Sequence, residues 1–177
     1  MKQLQFLAIA ALMAAAAFQT TAKADDPINP APGAVCNLYL IHKNNAKETA
    51  ATLASQPAAA TFVDSASEFK CSSKKEGIDS DWGMWTGWLR QSTGGTYTFT
   101  CRGGYISCYS IWINGVNCAS CVSQQYSFNA DLSAGFNSVQ IIAYDGGAPL
   151  TITYKKAGSV KDPISFGPEN MYYDDEE

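Results

Sequence analysis

Residues 85–115 hold Trp85-Thr86-Gly87-Trp88-Leu89-Arg90, then Gly94-Gly95-Thr96-Tyr97-Thr98-Phe99-Thr100-Cys101, then Ser110-Ile111-Trp112-Ile113-Asn114-Gly115. Their period is two. In Thr96–Cys101 the residues Tyr97, Phe99 and Cys101 face one way and the threonines the other, the pattern of a half-buried strand. Ile111 and Ile113 share an inner face and leave Trp112 on the outer one. Asn114-Gly115 has the chemistry of a tight hairpin turn. From Trp82 onward the same period puts Trp82 and Trp88 on one face and Trp85 on the other. Trp85 is assigned to the core, since an indole buries a large apolar area.

Outward from this stretch the chain continues in short strands. Cys36–Ile41 reads as a first strand, and Thr61–Val63 and Glu68–Cys71 as two brief ones. Tyr126–Leu132 alternates. Ser138–Tyr144 is apolar on both faces, as a central strand is. Asp145-Gly146-Gly147 turns the chain into Leu150–Tyr154. One short helix fits around Ala46–Ser55, ended by Pro57. Ser72–Ser80 is polar and reads as a loop. Strands at short spacing between glycine turns make an all-β, antiparallel β-sandwich with at most one short helix.

The N-terminus reads as a targeting segment. Lys2, an apolar run from Leu4 to Phe18 and Ala22-Lys23-Ala24 form a secretory signal peptide over 1–24. An extended leader (25–35), one sandwich domain (36–173) and an acidic tail (174–177) follow. Cleavage removes Lys2 and Lys23 and no acid, leaving 10 Lys and Arg against 16 Asp and Glu, a formal −6. Such a chain lacks the clustered cations that nucleic acid requires, and no later segment is long and apolar enough to span a membrane. The reading places the protein outside the cytoplasm: secreted, periplasmic or at the cell surface.

All six cysteines, Cys36, Cys71, Cys101, Cys108, Cys118 and Cys121, follow the signal peptide. An even number in an exported chain predicts three disulfides stapling the sandwich, with connectivity left open. A zinc site of Cys101, Cys108, Cys118 and Cys121 is the rival, weakened because only Cys118 and Cys121 have tight spacing. A redox pair at Cys118 and Cys121 lacks the alternating strand and helix pattern that such pairs occupy.

Catalysis finds no constellation. The single histidine, His42, ends the first strand with no nucleophile motif beside it. Asp79, Asp81, Asp131 and Asp145 sit in turn-like contexts, where aspartate bonds its own backbone. No cofactor is called for. The candidate ligand site is Trp112 with Tyr105, Asn114 and Asp145: an outward indole stacks on the apolar face of a sugar while polar groups bond its hydroxyls.

The order of these pieces resembles the protective-antigen-type β-sandwich, the PA-fourteen domain of bacterial toxins, secreted surface proteins and yeast adhesins. The resemblance rests on Trp85-Thr86-Gly87-Trp88, Gly94 to Phe99, Ile111 to Gly115, Leu132-Ser133-Ala134-Gly135 and the hairpin from Gln140 to Tyr154. The ending Asp162-Pro163-Ile164 with Met171-Tyr172-Tyr173 also looks like the family's closing strand. It implies a non-catalytic binding module, with a glycan or a surface protein as partner. Other readings are a structural or protein-interaction module without sugar affinity, and an accessory domain or inhibitor of an extracellular enzyme. Carbohydrate-binding members carry consecutive aspartates before the strand matching Ile111–Ile113. Here that loop, Arg102 to Cys108, has no carboxylate, whereas calcium needs several oxygen ligands. A chelator is therefore expected to leave the melting temperature unchanged. A calcium-dependent rise in a thermal melt would overturn this.

Overall fold

The computed structural model describes residues 25–40, 52–53, 55–73, 78–79, 82–104, 108–122, 124–144 and 149–175. Along the chain run β1 (Pro30–Pro32), β2 (Ala34–Tyr39), β3 (Ala60–Asp64), the two-residue pair β4 (Ser72–Ser73) and β5 (Ile78–Asp79), and β6 (Trp82–Gln91). Then come β7 (Gly95–Arg102), β8 (Cys108–Ile113), β9 (Val116–Val122), β10 (Gln125–Leu132), β11 (Gly135–Tyr144), β12 (Thr151–Lys156), β13 (Ile164–Phe166), a 3-10 turn (Pro168–Asn170) and β14 (Met171–Asp174).

Among the described residues they form two main antiparallel sheets, with β4 and β5 paired to each other apart from both. The larger has the order β1-β14-β6-β11-β8-β9, with β2 also on β6 and β3 on β2; the smaller is β10-β7-β12-β13. The expected antiparallel sandwich is the observed one. Asn114 and Gly115 turn β8 into β9 with φ of 50° and 76°, the double left-handed conformation of a two-residue hairpin. The stretch Glu68–Cys71 is not a full strand: Phe69 alone bridges to Leu150. The helix expected over Ala46–Ser55 falls largely outside the described residues, as does His42. Asp174, read as part of a solvated tail, instead ends β14, and its carboxylate accepts from the backbone N–H groups of Ile28 and Asn29.

The sheets meet in one core. Trp85, Leu89, Ile111, Ile113 and Ile141 from the large sheet face Tyr97, Phe99, Ile152 and Tyr154 from the small one. Phe99 stacks between Phe128 and Tyr154 at centroid distances of 5.2 and 5.4 Å. Trp85 is fully buried, as expected of it, and meets Phe69 edge-to-face at 5.4 Å. Its Nε1 donates to the Asp64 carboxylate at 2.8 Å.

The large sheet is also covered on part of its outer face. Trp82, Met84, Tyr39, Cys108 and Ile142 form a second cluster with Leu53, which is itself fully buried. The two-sided apolar pattern of Ser138–Tyr144 reflects this double cover.

The expected staples are the main correction. Among the described residues no disulfide is shown for any of the cysteines; the side chain of Cys121 lies outside the described set. Cys36 and Cys101 are core residues that pack as small apolar groups, and the Cys71 thiol donates to the Ala143 carbonyl. Burial pushes the Cys36 thiol far above its usual range, with Asp64 adding to the effect. Burial, then the neighbouring Cys118, pushes Cys101 up to about 12. Below the ordinary thiol range both states are neutral and this burial favours the fold. Above it the unfolded chain ionises and the folded chain does not, so stability falls as pH rises from about 9 to 12. Denaturant melts at rising alkaline pH should show the midpoint dropping. A thiol reagent should label Cys36 and Cys101 only on unfolding.

Candidate functional site

The outer face of the large sheet is set by the even-numbered residues of β6. Trp82, Met84, Thr86, Trp88 and Arg90 point away from the core because Trp85 and Leu89 are fixed in it. Antiparallel register then lines up their neighbours. Thr86 pairs with Gln140, and Gln140 with Trp112; Trp88 pairs with Ser138 on one side and Tyr172 on the other; Arg90 pairs with Phe136.

Trp112 is where the alternation puts it. Ile111 and Ile113 are buried in the core, and the indole lies on the opposite face, half-buried against the outer cluster. Gln140 and Asn117 are its cross-strand neighbours. Gln140 Nε2 reaches the Met84 sulfur at 3.5 Å.

Asn114 is engaged elsewhere. Its Oδ1 accepts from Ser138 N at 3.0 Å, and its Nδ2 donates to Asn137 Oδ1 at 2.9 Å. Asn137 is fully buried and in turn donates to Ser133 O, while its Oδ1 accepts from Ser133 N. Asn114 thus ties the β8–β9 turn to the start of β11. It stands six residues along from Cys108, which pairs with Tyr144, roughly 20 Å at strand rise. Tyr105 and Asp145 lie outside the described residues. Among the described residues no three His, Cys, Asp or Glu side chains gather closely enough to hold a metal ion.

Three aromatic groups escaped the reading of a ligand site. Trp88 and Tyr172 are opposite each other and both half-buried. The Trp88 Nε1 is buried and has no hydrogen-bond partner among the described residues. Phe136 meets Tyr172 edge-to-face at 5.5 Å, and the Arg90 guanidinium lies 5.8 Å from the Phe136 ring centre. Period two placed Trp88 outward. Its neighbours depend on which strands flank β6, and that pairing is non-local.

Sequence comparison finds neither a matching family model nor a matching curated protein. Solved structures do match. A PA14 sugar-binding domain from an RTX adhesin superposes with a TM-score of 0.59 at 21% identity, over 80% of this chain and 98% of that one. The chain has the PA14 fold. The Epithelial Adhesin 6 A domain from Candida glabrata, in complex with Galb1-3GlcNAc, gives a TM-score of 0.56 at 14% identity, over 87% of this chain and 96% of that one. An anti-sigma factor domain-containing protein gives 0.59 at 16% identity; 86% of this chain is covered but only 51% of that protein, so the match spans about half its length. On the PA14 fold the motifs that carried the resemblance fall in order on β6, β7, the β8–β9 hairpin, the β10–β11 turn and the run from β11 to β12.

Position on the sheet predicts how the two indoles respond to removal. Trp112→Ala should cost about 1–2 kcal/mol, because only part of the ring is withdrawn from water. Trp85→Ala should cost about 3–5 kcal/mol through the core cavity it leaves. Urea melts of the two variants side by side check the order.

Proposed function

We propose that this protein is an exported, non-catalytic binding module that takes glycans and serves adhesion at or outside the cell surface. The observation that carries the reading is the half-buried Trp112 on the outer face of a PA14-fold sheet, flanked by the amides Gln140 and Asn117. A half-buried indole held by packing is a preorganised stacking surface. Amides beside it supply the directional bonds that separate one sugar from another. Two of the structures sharing the fold carry sugar binding in their descriptions, which supports this reading over a purely structural one. The signal peptide read over residues 1–24 accounts for export.

The test is a glycan array run with and without chelator. Binding to a defined subset of glycans is expected, unchanged by chelator and lost in Trp112→Ala, with that variant still melting cooperatively. An array on which the intact protein binds nothing would replace this reading with that of a protein-interaction module.

A further inference from the structure

At the end of the sandwich where β6 finishes and β11 begins there is a cleft of about 710 Å³. Arg90, Gln91 and Ser92 form one wall and Glu169, Asn170 and Tyr172 the other. It stands apart from both the Arg102–Cys108 loop and Trp112. Trp112 sits in register with Thr86, two strands away, so it stands about 16 Å from Arg90 at ordinary strand spacings. One sugar ring cannot touch both.

The cleft is built, not incidental. The Arg90 guanidinium is laid over Phe136, and Phe136 is braced edge-to-face by Tyr172. The Gln91 amide donates to the Tyr154 hydroxyl at 3.1 Å, which fixes its orientation. The opposite wall is the 3-10 turn Pro168–Asn170. There Asn170 Oδ1 accepts from Gly167 N, and Glu169 N donates to the Ala66 carbonyl. Gly167 allows this seat, because a Cβ there would come within 2.4 Å of the Ser67 carbonyl oxygen.

We propose that this cleft is a second binding site, for a neutral saccharide. Arg90 and Glu169 are both exposed and bring one cation and one anion, so the cleft as a whole carries no net charge. An acidic ligand would meet the Glu169 carboxylate, and a cationic one the Arg90 guanidinium. Paired hydroxyls on a neutral sugar ring accept from a planar guanidinium and donate to a carboxylate. The Tyr172 ring offers an apolar wall for the C–H face, and Gln91 and Asn170 add amides. The volume is that of a small-ligand pocket. With Trp112 serving a separate site, one module would hold two glycans at once, and the gain in avidity follows from linkage alone.

The experiment is a titration of the isotope-labelled protein followed by backbone amide shifts. The probes are methyl β-galactoside, methyl β-glucoside and methyl α-mannoside, with glucuronate as the acidic arm. At least one neutral glycoside should move the amides of Arg90–Ser92 and Glu169–Tyr172. Arg90→Ala and Glu169→Gln should each weaken that response about tenfold or more, and Trp112→Ala should leave it in place. The two variants are at exposed positions, and retention of the remaining spectrum shows that they fold. Still amides in the cleft with all three neutral glycosides would overturn the proposal, as would a response to glucuronate alone. Shifts confined to the neighbourhood of Trp112 and Gln140 would also overturn it while leaving the reading of Trp112 intact.

Discussion

Trp85 lies against its own strand. A Cβ at Gly83 would come within 2.4 Å of the indole ring, so only glycine leaves room for it. From there the ring reaches Phe69 and hydrogen-bonds Asp64 at the end of β3. The same face of β6 carries Gly87, where a Cβ would lie 2.6 Å from the Tyr172 carbonyl oxygen. One glycine admits the indole and the other admits β14. Between them they decide how β3 and β14 seat around the central strand. With Trp85 held inward, pleating sends Trp82, Trp88 and Arg90 outward, and both candidate ligand regions inherit their positions from that.

The local pattern was legible where a single period governs. Tyr97, Phe99 and Cys101 are inward, Ile111 and Ile113 are inward, and Trp112 is outward, all as alternation requires. Asn114-Gly115 makes the turn its chemistry predicts. What failed to show was everything set by distant partners. Trp82 is outward yet fully buried, because Leu53 comes from a segment far along the chain to cover it. Arg90 and Glu169 share a cleft only because β14 follows the 3-10 turn back onto β6. The cysteines misled for a different reason. Their number and their export context argued for staples, while Cys36 and Cys101 are thiols filling the core. Counting cannot separate a bridge from a small buried side chain.

The two outer faces of the sandwich differ in what they leave over. On the small sheet, Thr96, Thr98 and Thr100 bond across the strand pair to Asp131, Asn129 and Ser127. Those three hydroxyls are satisfied within the sheet. The large sheet presents Trp112, Trp88 and Tyr172 half-buried, beside amides and a guanidinium. Stacking surface without hydroxyl partners is what a polyhydroxylated ligand complements, and it is concentrated on one side of the molecule.

The two ends of the domain are fastened to each other. Pro30, Ala31 and Pro32 lie against Asp174, Tyr173 and Tyr172. Prolines donate no backbone hydrogen bond, so the Asp174 carboxylate and the Asn29–Asp175 contacts do much of the holding. Because the paired strands run in opposite directions and leave side by side, a tension applied between them acts across the bonds. It would peel them apart one at a time, beginning at Asn29 and Asp175. The fastening of the two ends is then the first part of the large sheet to give under such a tension.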